Sequence, residues 1–262
     1  MNKSRHYTAF HLEKDALSSK ELDLVTEEYL AVTVDSQPCF ETKRTPGEED
    51  SLAAGICFTK GIVQNSRDIK TIEYPANGDI NVVNVCLSER KQQTQDLATE
   101  DILMRFAQKD RSVQTDIGEA FTDDMKLTFE DLFSSVDLLN RNQVLHKKTK
   151  GAHAALLFDA NLDIVSFAED VARHNAFDKA IGKALLVDKL TDVMIAVLSS
   201  RINQELLLKA ISARIPVVTG ISRPTAGVVD LGVKLNMTVV CAVKGGGFFV
   251  FCGLERFRMP EC

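Results

Sequence analysis

The chain has 262 residues, of which 45% are hydrophobic and 26% are charged, and its formal net charge is −6. This composition is typical of a folded domain, and it excludes intrinsic disorder, collagen-like repeats and a small disulfide-stapled fold. No apolar run approaches the ~20 residues that a membrane-spanning helix requires, and the N-terminal segment lacks the apolar stretch of a signal peptide. We therefore expect a cytoplasmic protein with no membrane partner.

The charge is unevenly distributed along the chain. Residues 1–150 carry 26 acidic and 19 basic side chains, whereas residues 201–262 carry 8 basic and 4 acidic side chains. A mildly basic end on an acidic chain suits a small anionic ligand better than a long nucleic acid. Tryptophan is absent, and no basic stripe is interleaved with aromatic residues, so we expect no nucleic-acid partner.

The six cysteines are scattered, with no two within four residues of each other, at Cys39, Cys57, Cys86, Cys241, Cys252 and Cys262. This spacing excludes a zinc ribbon and a redox Cys-x-x-Cys motif. Four of the cysteines lie in apolar runs and are expected in the core. The two expected at the surface are Cys39 and Cys262.

The N-terminal part of the sequence predicts a small α+β subdomain over residues 1–115. Residues 1–20 are polar without a clear period, which predicts a frayed arm. Strands are predicted at 29–34, 39–42, 68–74 and 80–87, and helices at 52–58 and 97–107. Residues 109–124 are polar and without a period, so we expect an exposed, carrier-like loop there.

The rest of the chain predicts an α/β domain over residues 116–262. Thr128 and Asp131 form a capping arrangement before an apolar stripe, which predicts a helix over 127–139. Short strands then alternate with helices, which predicts a parallel or mixed sheet with helices on both faces. The predicted strands are 154–158, 164–167, 194–198, 216–219, 237–242 and 248–252, and the predicted helices are 174–187, 204–214 and 224–235.

Three strand-to-helix junctions of this domain concentrate polar side chains, at residues 169–179, 199–201 and 222–227. In open α/β sheets, ligands bind at the carboxyl ends of the strands, near helix N-termini. The alternative is that these are solvated helix starts with ordinary capping residues. Taken together, the junctions favour a polar anionic or nucleotide ligand, and the candidate ligand-binding residues are Arg173, His174, Asp178, Lys179, Ser199, Arg201, Ser222, Thr225 and Lys244.

Several other motifs do not support a more specific chemistry. The glycines at 245–247 are not followed by a helix, so they form neither a Walker loop nor a dinucleotide fingerprint. His153 has no Glu two residues later and no Pro-Cys-x-x-Cys downstream, so the zinc deaminase pattern is absent. Glu169, Asp170 and His174 could form a metal site, but a hydrogen-bonded network is the favoured interpretation. We expect no bound metal.

Residues 169–182 read Glu-Asp-Val-Ala-Arg-His-Asn-Ala-Phe-Asp-Lys-Ala-Ile-Gly, and this segment closely resembles the signature of the FdhD family of formate dehydrogenase accessory sulfurtransferases. The family usually has glycine where this chain has Ala172. The resemblance extends over about residues 25–253. Matching segments also lie at 45–46, 50–55, 61–63, 150–155, 199–201 and 224–225, and at Glu205 and Lys209.

The resemblance implies a fold, a cargo and partners. It implies a C-terminal domain like that of cytidine deaminases, with a three-layer arrangement but without zinc, and a homodimer. It implies binding of the guanine nucleotide ends of the molybdenum (or tungsten) bis-guanylyl pterin cofactor, for which GDP is a mimic. It also implies transfer of persulfide sulfur from a cysteine desulfurase to that cofactor, on behalf of formate dehydrogenase. His153, in the matching segment 150–155, joins the expected cofactor-binding residues.

The chain departs from the family at the cysteines that carry sulfur. The family has a Cys-Gly-x-Cys-Gly loop before the C-terminal domain, and sulfur transfer needs a thiolate there. The corresponding stretch contains no cysteine and includes Lys109, Asp110, Arg111, Ser112, Val113 and Gln114.

Three hypotheses stay open, and the missing cysteines motivate the second. The first is an accessory protein that supports sulfuration or delivery of the cofactor. The second is a chaperone or regulator that keeps the cofactor pocket but has lost sulfur transfer. The third is an unrelated nucleotide-processing enzyme with His174 as its general base. Whether the chain is an enzyme is left open by the sequence.

Overall fold

The computed structural model describes residues 2–14, 16–89, 119–243 and 246–258. Within these ranges it is a mixed α/β structure, as predicted. Its strands are β1 (Ser4–Glu13), β2 (Ala16–Val25), β3 (Glu28–Val34), β4 (Gln37–Arg44), β5 (Ile69–Glu73), β6 (Val82–Leu87), β7 (His153–Phe158), β8 (Ile164–Asp170), β9 (Ile195–Arg201), β10 (Val217–Ser222), β11 (Thr238–Ala242) and β12 (Phe248–Cys252).

The α-helices of the described residues connect these strands and cover them. They are α1 (Glu49–Thr59), α2 (Phe129–Asn142), α3 (Val144–Thr149), α4 (Arg173–Leu186), α5 (Gln204–Ser212) and α6 (Ala226–Lys234). Helix α2 begins at the predicted capping box, in which the Thr128 hydroxyl accepts from the Asp131 N–H and the Asp131 carboxylate accepts from the Thr128 N–H. No helix of the described ranges is both long and apolar enough to cross a bilayer.

A four-stranded sheet forms the N-terminal half, in the order β4-β3-β6-β5. The predicted hairpin between β3 and β4 is confirmed, and β5 and β6 pair antiparallel as expected. Strands β3 and β6 pair in parallel, and helix α1 lies between them in the sequence. The apolar residues of α1 pack against the sheet. The prediction of a small α+β unit in this half is therefore confirmed for its strands and its first helix.

A six-stranded mixed sheet forms the C-terminal half, in the order β12-β11-β10-β9-β7-β8. Strands β9, β10 and β11 are parallel, and the outer strands are antiparallel to their neighbours. Alternate residues of each strand enter two separate cores, one under α2 and the other under α4, α5 and α6. Helices therefore cover both faces, which explains why the strands read as continuous apolar runs.

The two halves share one hydrophobic core through the contact between α1 and α4. A Cβ atom on Gly55 would lie 1.9 Å from the Asp178 carbonyl oxygen, and one on Gly182 would lie 1.8 Å from the Ser51 carbonyl oxygen. Only glycine allows the two helix backbones to approach this closely. The contact places the N-terminal sheet against the first turns of α4, beside the predicted ligand edge.

One sequence prediction is wrong, and one helix was not predicted. Residues 1–20 are not a frayed arm, because Ser4–Glu13 and Ala16–Val25 pair antiparallel over ten residues each. Helix α3 (Val144–Thr149) was not predicted, since six residues are too short for a periodic signal. The predicted helix at 97–107, most of the loop at 109–124 and the domain boundary at 115 lie outside the described residues, and the boundary remains a prediction.

Candidate functional site

A cleft lies at the carboxyl ends of the parallel strands, where the sequence places the ligand. Strand β7 runs antiparallel to β9, so the start of β7 meets the ends of β9 and β10. The Ser199 hydroxyl joins these strands by accepting the Ala154 N–H at 2.8 Å, which leaves its own proton to donate to a ligand. The cleft has a volume of about 250 Å³ and is lined by Asn140, Gln143, His146, Lys150, Gly151, Ala152, His153, Ser199 and Ile221.

Helix α3 forms the outer wall of this cleft and is fixed by Glu169 at the end of β8. The Glu169 carboxylate accepts the N–H groups of Leu145 and His146 at 2.8 Å each, so it caps the N-terminus of the helix. The His146 ring lies 2.7 Å from the Ala152 carbonyl oxygen, which holds the turn into β7. Among the described residues, the lining contains no carboxylate, and an anion would meet cationic and neutral donors.

Two imidazoles near the cleft have lowered pKa values. Burial lowers the pKa of His153, and the nearby charges of Arg173, His146 and His174 lower it further. Burial also lowers the pKa of His174, although Glu205, whose carboxylate lies 3.4 Å from the His174 Nδ1, opposes this effect. The lowered pKa favours the neutral form of each imidazole, and an anion bound beside His153 would favour its protonated form.

The predicted residues at the ends of β9 and β10 lie together at the same edge of the sheet. Arg201 and Ser222 are paired in register and both are exposed. Thr225 precedes α6, is exposed, and makes no capping hydrogen bond with its side chain. These three side chains are accessible at the ligand edge. Lys244 lies outside the described residues.

Asp178 lies on α4 and is buried where α4 meets α1 and α5. Only 2% of the residue is exposed, and its carboxylate accepts from Lys209 at 2.8 and 3.0 Å and from the Thr59 hydroxyl at 2.9 Å. These contacts connect α4 to α5 and to the end of α1. The carboxylate accepts three hydrogen bonds from the protein, so Asp178 fixes α1, α4 and α5 relative to one another.

Lys179 is fully buried on the other side of α4. Its ammonium lies 2.7 Å from the Asp170 carboxylate and donates to the Thr45 carbonyl at 2.8 Å. Asp170 also accepts from the N–H groups of Thr45 and Ala172. Burial raises the pKa of Asp170 and the Lys179 ammonium opposes the rise. This network fixes the start of α4 to the end of β8 and to the loop before α1.

The favoured interpretation of residues 169–174 as a hydrogen-bonded network agrees with these contacts. Glu169 caps α3, Asp170 pairs with Lys179, and His174 faces Glu205. No group of three potential metal-ligating side chains is found among the residues that the structure describes. The described residues therefore offer no ligand set for a zinc ion like that of deaminases.

The cysteines of the described residues are poorly suited to sulfur transfer. Cys57 and Cys241 are buried, and Cys39, Cys86 and Cys252 are half-buried. Burial raises the pKa of Cys39, Cys57, Cys241 and Cys252, which favours the unreactive thiol. Cys39, which was expected to be exposed, is half-buried. Cys262 and the loop at 109–114 lie outside the described residues.

Sequence reasoning did not single out several residues that the structure brings to the site. Asn140, Gln143, His146 and Lys150 all line the cleft, and they lie on or beside the unpredicted helix α3. The sequence did point to Lys150, because it begins segment 150–155, which matches the FdhD family. The basic content of α3 with its flank, three lysines and one histidine over residues 146–150, was a second signal.

Comparisons with known proteins agree with this architecture. A curated relative from Streptomyces coelicolor, named "Sulfur carrier protein FdhD", is 31% identical over 264 residues, covering 93% of this chain and 92% of the relative. One of the same name from Sulfolobus acidocaldarius is 31% identical over 251 residues, covering 94% of this chain and 96% of the relative.

A similar fold is found in a crystal structure from Desulfotalea psychrophila, described as a formate dehydrogenase accessory protein. It has a TM-score of 0.79 and 19% identity, and the match covers 98% of this chain and 100% of that one. The family model described as FdhD/NarQ family matches residues 25–258. The match covers the strands from β3 onward, the helices and the lining of the cleft, and the chain belongs to the FdhD/NarQ family.

Proposed function

We propose that this protein is a formate dehydrogenase accessory protein that binds the guanine nucleotide ends of the molybdenum or tungsten bis-guanylyl pterin cofactor and supports its sulfuration or delivery. The observation that carries the proposal is the cleft at the carboxyl ends of β9 and β10, with its cationic and hydroxyl lining and no lining carboxylate among the described residues. The names of the curated relatives, which are sulfur carrier proteins, and of the fold neighbour support the same role.

The donor set of the cleft suits a nucleoside diphosphate. Lys150 supplies a flexible cation for a phosphate oxygen, and Ser199 supplies a hydroxyl proton. Arg201 and Ser222 extend the donors along the edge of the sheet. Asn140 and Gln143 offer amides, which both donate and accept and therefore suit the edge of a purine base.

The wider family properties form part of the proposal. These are a cytidine-deaminase-like layering of the C-terminal domain, a homodimer, a cytoplasmic location and a cysteine desulfurase as a partner. Helices on both faces of the six-stranded sheet are consistent with that layering.

Isothermal titration of the purified protein with GDP tests the cofactor-binding part. We expect saturable binding that Lys150→Ala weakens about tenfold, because a charge-assisted hydrogen bond contributes roughly 1.5–3 kcal/mol. Lys70→Ala is the matched control, since Lys70 is an exposed lysine on β5 in the other sheet. If GDP does not bind, or if both variants weaken binding equally, the proposal fails.

A second function on the same scaffold is a cofactor chaperone or regulator without sulfur transfer. It is favoured by the burial of the described cysteines and by the absence of cysteine at residues 109–114. Incubation with a cysteine desulfurase and cysteine that carries radioactive sulfur distinguishes the two functions. Stable label on this protein that one Cys→Ala change abolishes would contradict the chaperone function. Absence of label would contradict sulfur transfer by this chain and leave cofactor binding intact.

A further inference from the structure

Strands β1 and β2 form a hairpin arm, residues 4–25, that carries large apolar side chains in contact with solvent. Strand pairing puts Phe10, Leu12 and Leu17 on one face, where they are 75%, 71% and 68% exposed. The opposite face carries Tyr7, Leu22 and Leu24, which are 45–48% exposed. A two-stranded hairpin is marginally stable alone in water, so a surface of this kind points to a partner.

The base of the arm is firmly attached, whereas the rest of it has no neighbour in the described structure. The Lys148 ammonium donates to the Ser4 hydroxyl at 3.0 Å and lies 3.1 Å from the Asp23 carboxylate. The Thr26 N–H donates to the Lys3 carbonyl. Ten residues per strand at ~3.3 Å each give an arm about 33 Å long, and both of its outer edges lack a pairing strand among the described residues.

We propose that the arm is a self-association surface, in which β1 of one copy pairs antiparallel, edge to edge, with β1 of a second copy. The inference gives a surface to the homodimer of the proposed function and in that respect rests on it. It goes beyond the family match, because the family model begins at residue 25, where the arm ends. An exposed strand edge is a template for the same strand of another chain, and an antiparallel pair closes into a two-fold dimer.

The charges of the arm favour a second copy as the occupant. Residues 2–25 contain four Lys or Arg and four Asp or Glu, so the arm is neutral on a chain of net charge −6. Two arms can therefore meet without net charge repulsion between them. A partner recognised by charge would instead require an arm of one sign.

The same charges select a register. With Ala9 opposite Ala9 of the second copy, Arg5 lies opposite Glu13 at both ends of the pair, and opposite charges across strands are stabilising. This register also puts the two Phe10 side chains at diagonal positions, close enough for aromatic contact. Arg5 is available for this pairing, since its present partner is Glu28 at 3.7 Å with 62% of the Arg5 side chain exposed.

Sedimentation equilibrium of the full chain and its variants tests the surface. We expect a dimer whose dissociation constant rises at least about hundredfold in the double variant Phe10→Ser, Leu12→Ser, since each buried apolar side chain contributes about 1.5–3 kcal/mol. Val233→Ser, at an exposed apolar position on α6, is the matched control and should leave the dimer unchanged. Glu13→Arg should weaken the dimer about tenfold, and adding Arg5→Glu should restore it.

Disulfide trapping tests the register. Ala9→Cys should form a covalent dimer on mild oxidation, because opposed residues in an antiparallel pair lie within the Cα separation that a disulfide allows. Ser18→Cys on β2, away from the two-fold axis, should not.

The possible results distinguish failure of the homodimer from failure of the arm as its surface. A monomer at every concentration would overturn both the homodimer and the arm. A dimer that survives the Phe10 and Leu12 substitutions would overturn the arm alone. A chain that is monomeric alone but joins formate dehydrogenase through the arm would overturn self-association.

Discussion

Replacing Lys179 with methionine removes a buried cation without removing its volume. Its ammonium lies 2.7 Å from the Asp170 carboxylate, and both side chains are fully buried. The variant leaves the Asp170 charge without a cation and the Thr45 carbonyl without its 2.8 Å donor. Removing one partner of a buried ion pair costs about 3–5 kcal/mol, so we expect the free energy of unfolding to fall by about this amount.

The loss should depend on pH, and the sign follows from Asp170. Burial already raises its pKa, and removing the Lys179 ammonium that opposes the rise raises the pKa further. In the folded variant the carboxyl then keeps a proton that the unfolded chain releases above about pH 4. Between about pH 4 and the raised pKa of Asp170, the folded variant binds more protons than the unfolded chain. Its free energy of unfolding should therefore decrease as pH rises through this range.

Chemical denaturation at pH 5 and pH 8, followed by circular dichroism, measures both effects. The double variant Asp170→Asn, Lys179→Met should recover part of the stability, because no uncompensated charge remains. A single variant that loses less than about 1 kcal/mol, or that loses the same amount at both pH values, would refute the reasoning.

Three further predictions follow from the same structure. Gly55→Ala should destabilise the protein by at least about 2 kcal/mol in thermal unfolding, because its Cβ would lie 1.9 Å from a carbonyl oxygen of α4. Gly227→Ala is the control and should be neutral or stabilising, because its Cβ would lie 4.0 Å from the nearest atom. GDP affinity should rise as pH falls from 8 to 6, because a phosphate favours the protonated form of His153, whose pKa is lowered in the free protein, and His153→Gln should flatten that titration profile. Hydrogen bonding from Arg256 lowers the pKa of Asp123, so the stability from this pair is present at neutral pH and is lost as pH falls below about 4; Asp123→Asn should flatten this acid limb in denaturation experiments.

The sequence predicts the C-terminal sheet well because each strand and helix there has a strong local signal. The capping box at Thr128 and the apolar runs of β7 and β9 are examples. The hairpin arm was missed because its apolar residues occupy both faces, so Tyr7 and Phe10 break the alternation that identifies a half-buried strand.

The candidate site is predictable in position but not in the role of each side chain. The three junctions do meet at one edge of the sheet, as the rule for parallel strands predicts. Asp178 and Lys179 were expected to line or support the ligand site, and in the structure both are buried in internal ion pairs. Their partners, Lys209 and Asp170, come from separate elements, so only the packed fold shows which charges are paired internally.

Hydrogen exchange measured with and without GDP tests the central claim, that this family member binds a guanine nucleotide at the carboxyl edge of its six-stranded sheet. The account predicts slower exchange at residues 150–153 and 199–202 when GDP is present. It predicts no change at residues 159–163 and 187–193, which lie at the opposite edge of the same sheet and serve as the internal control. Protection at the opposite edge, or no protection under saturating GDP, would contradict the account.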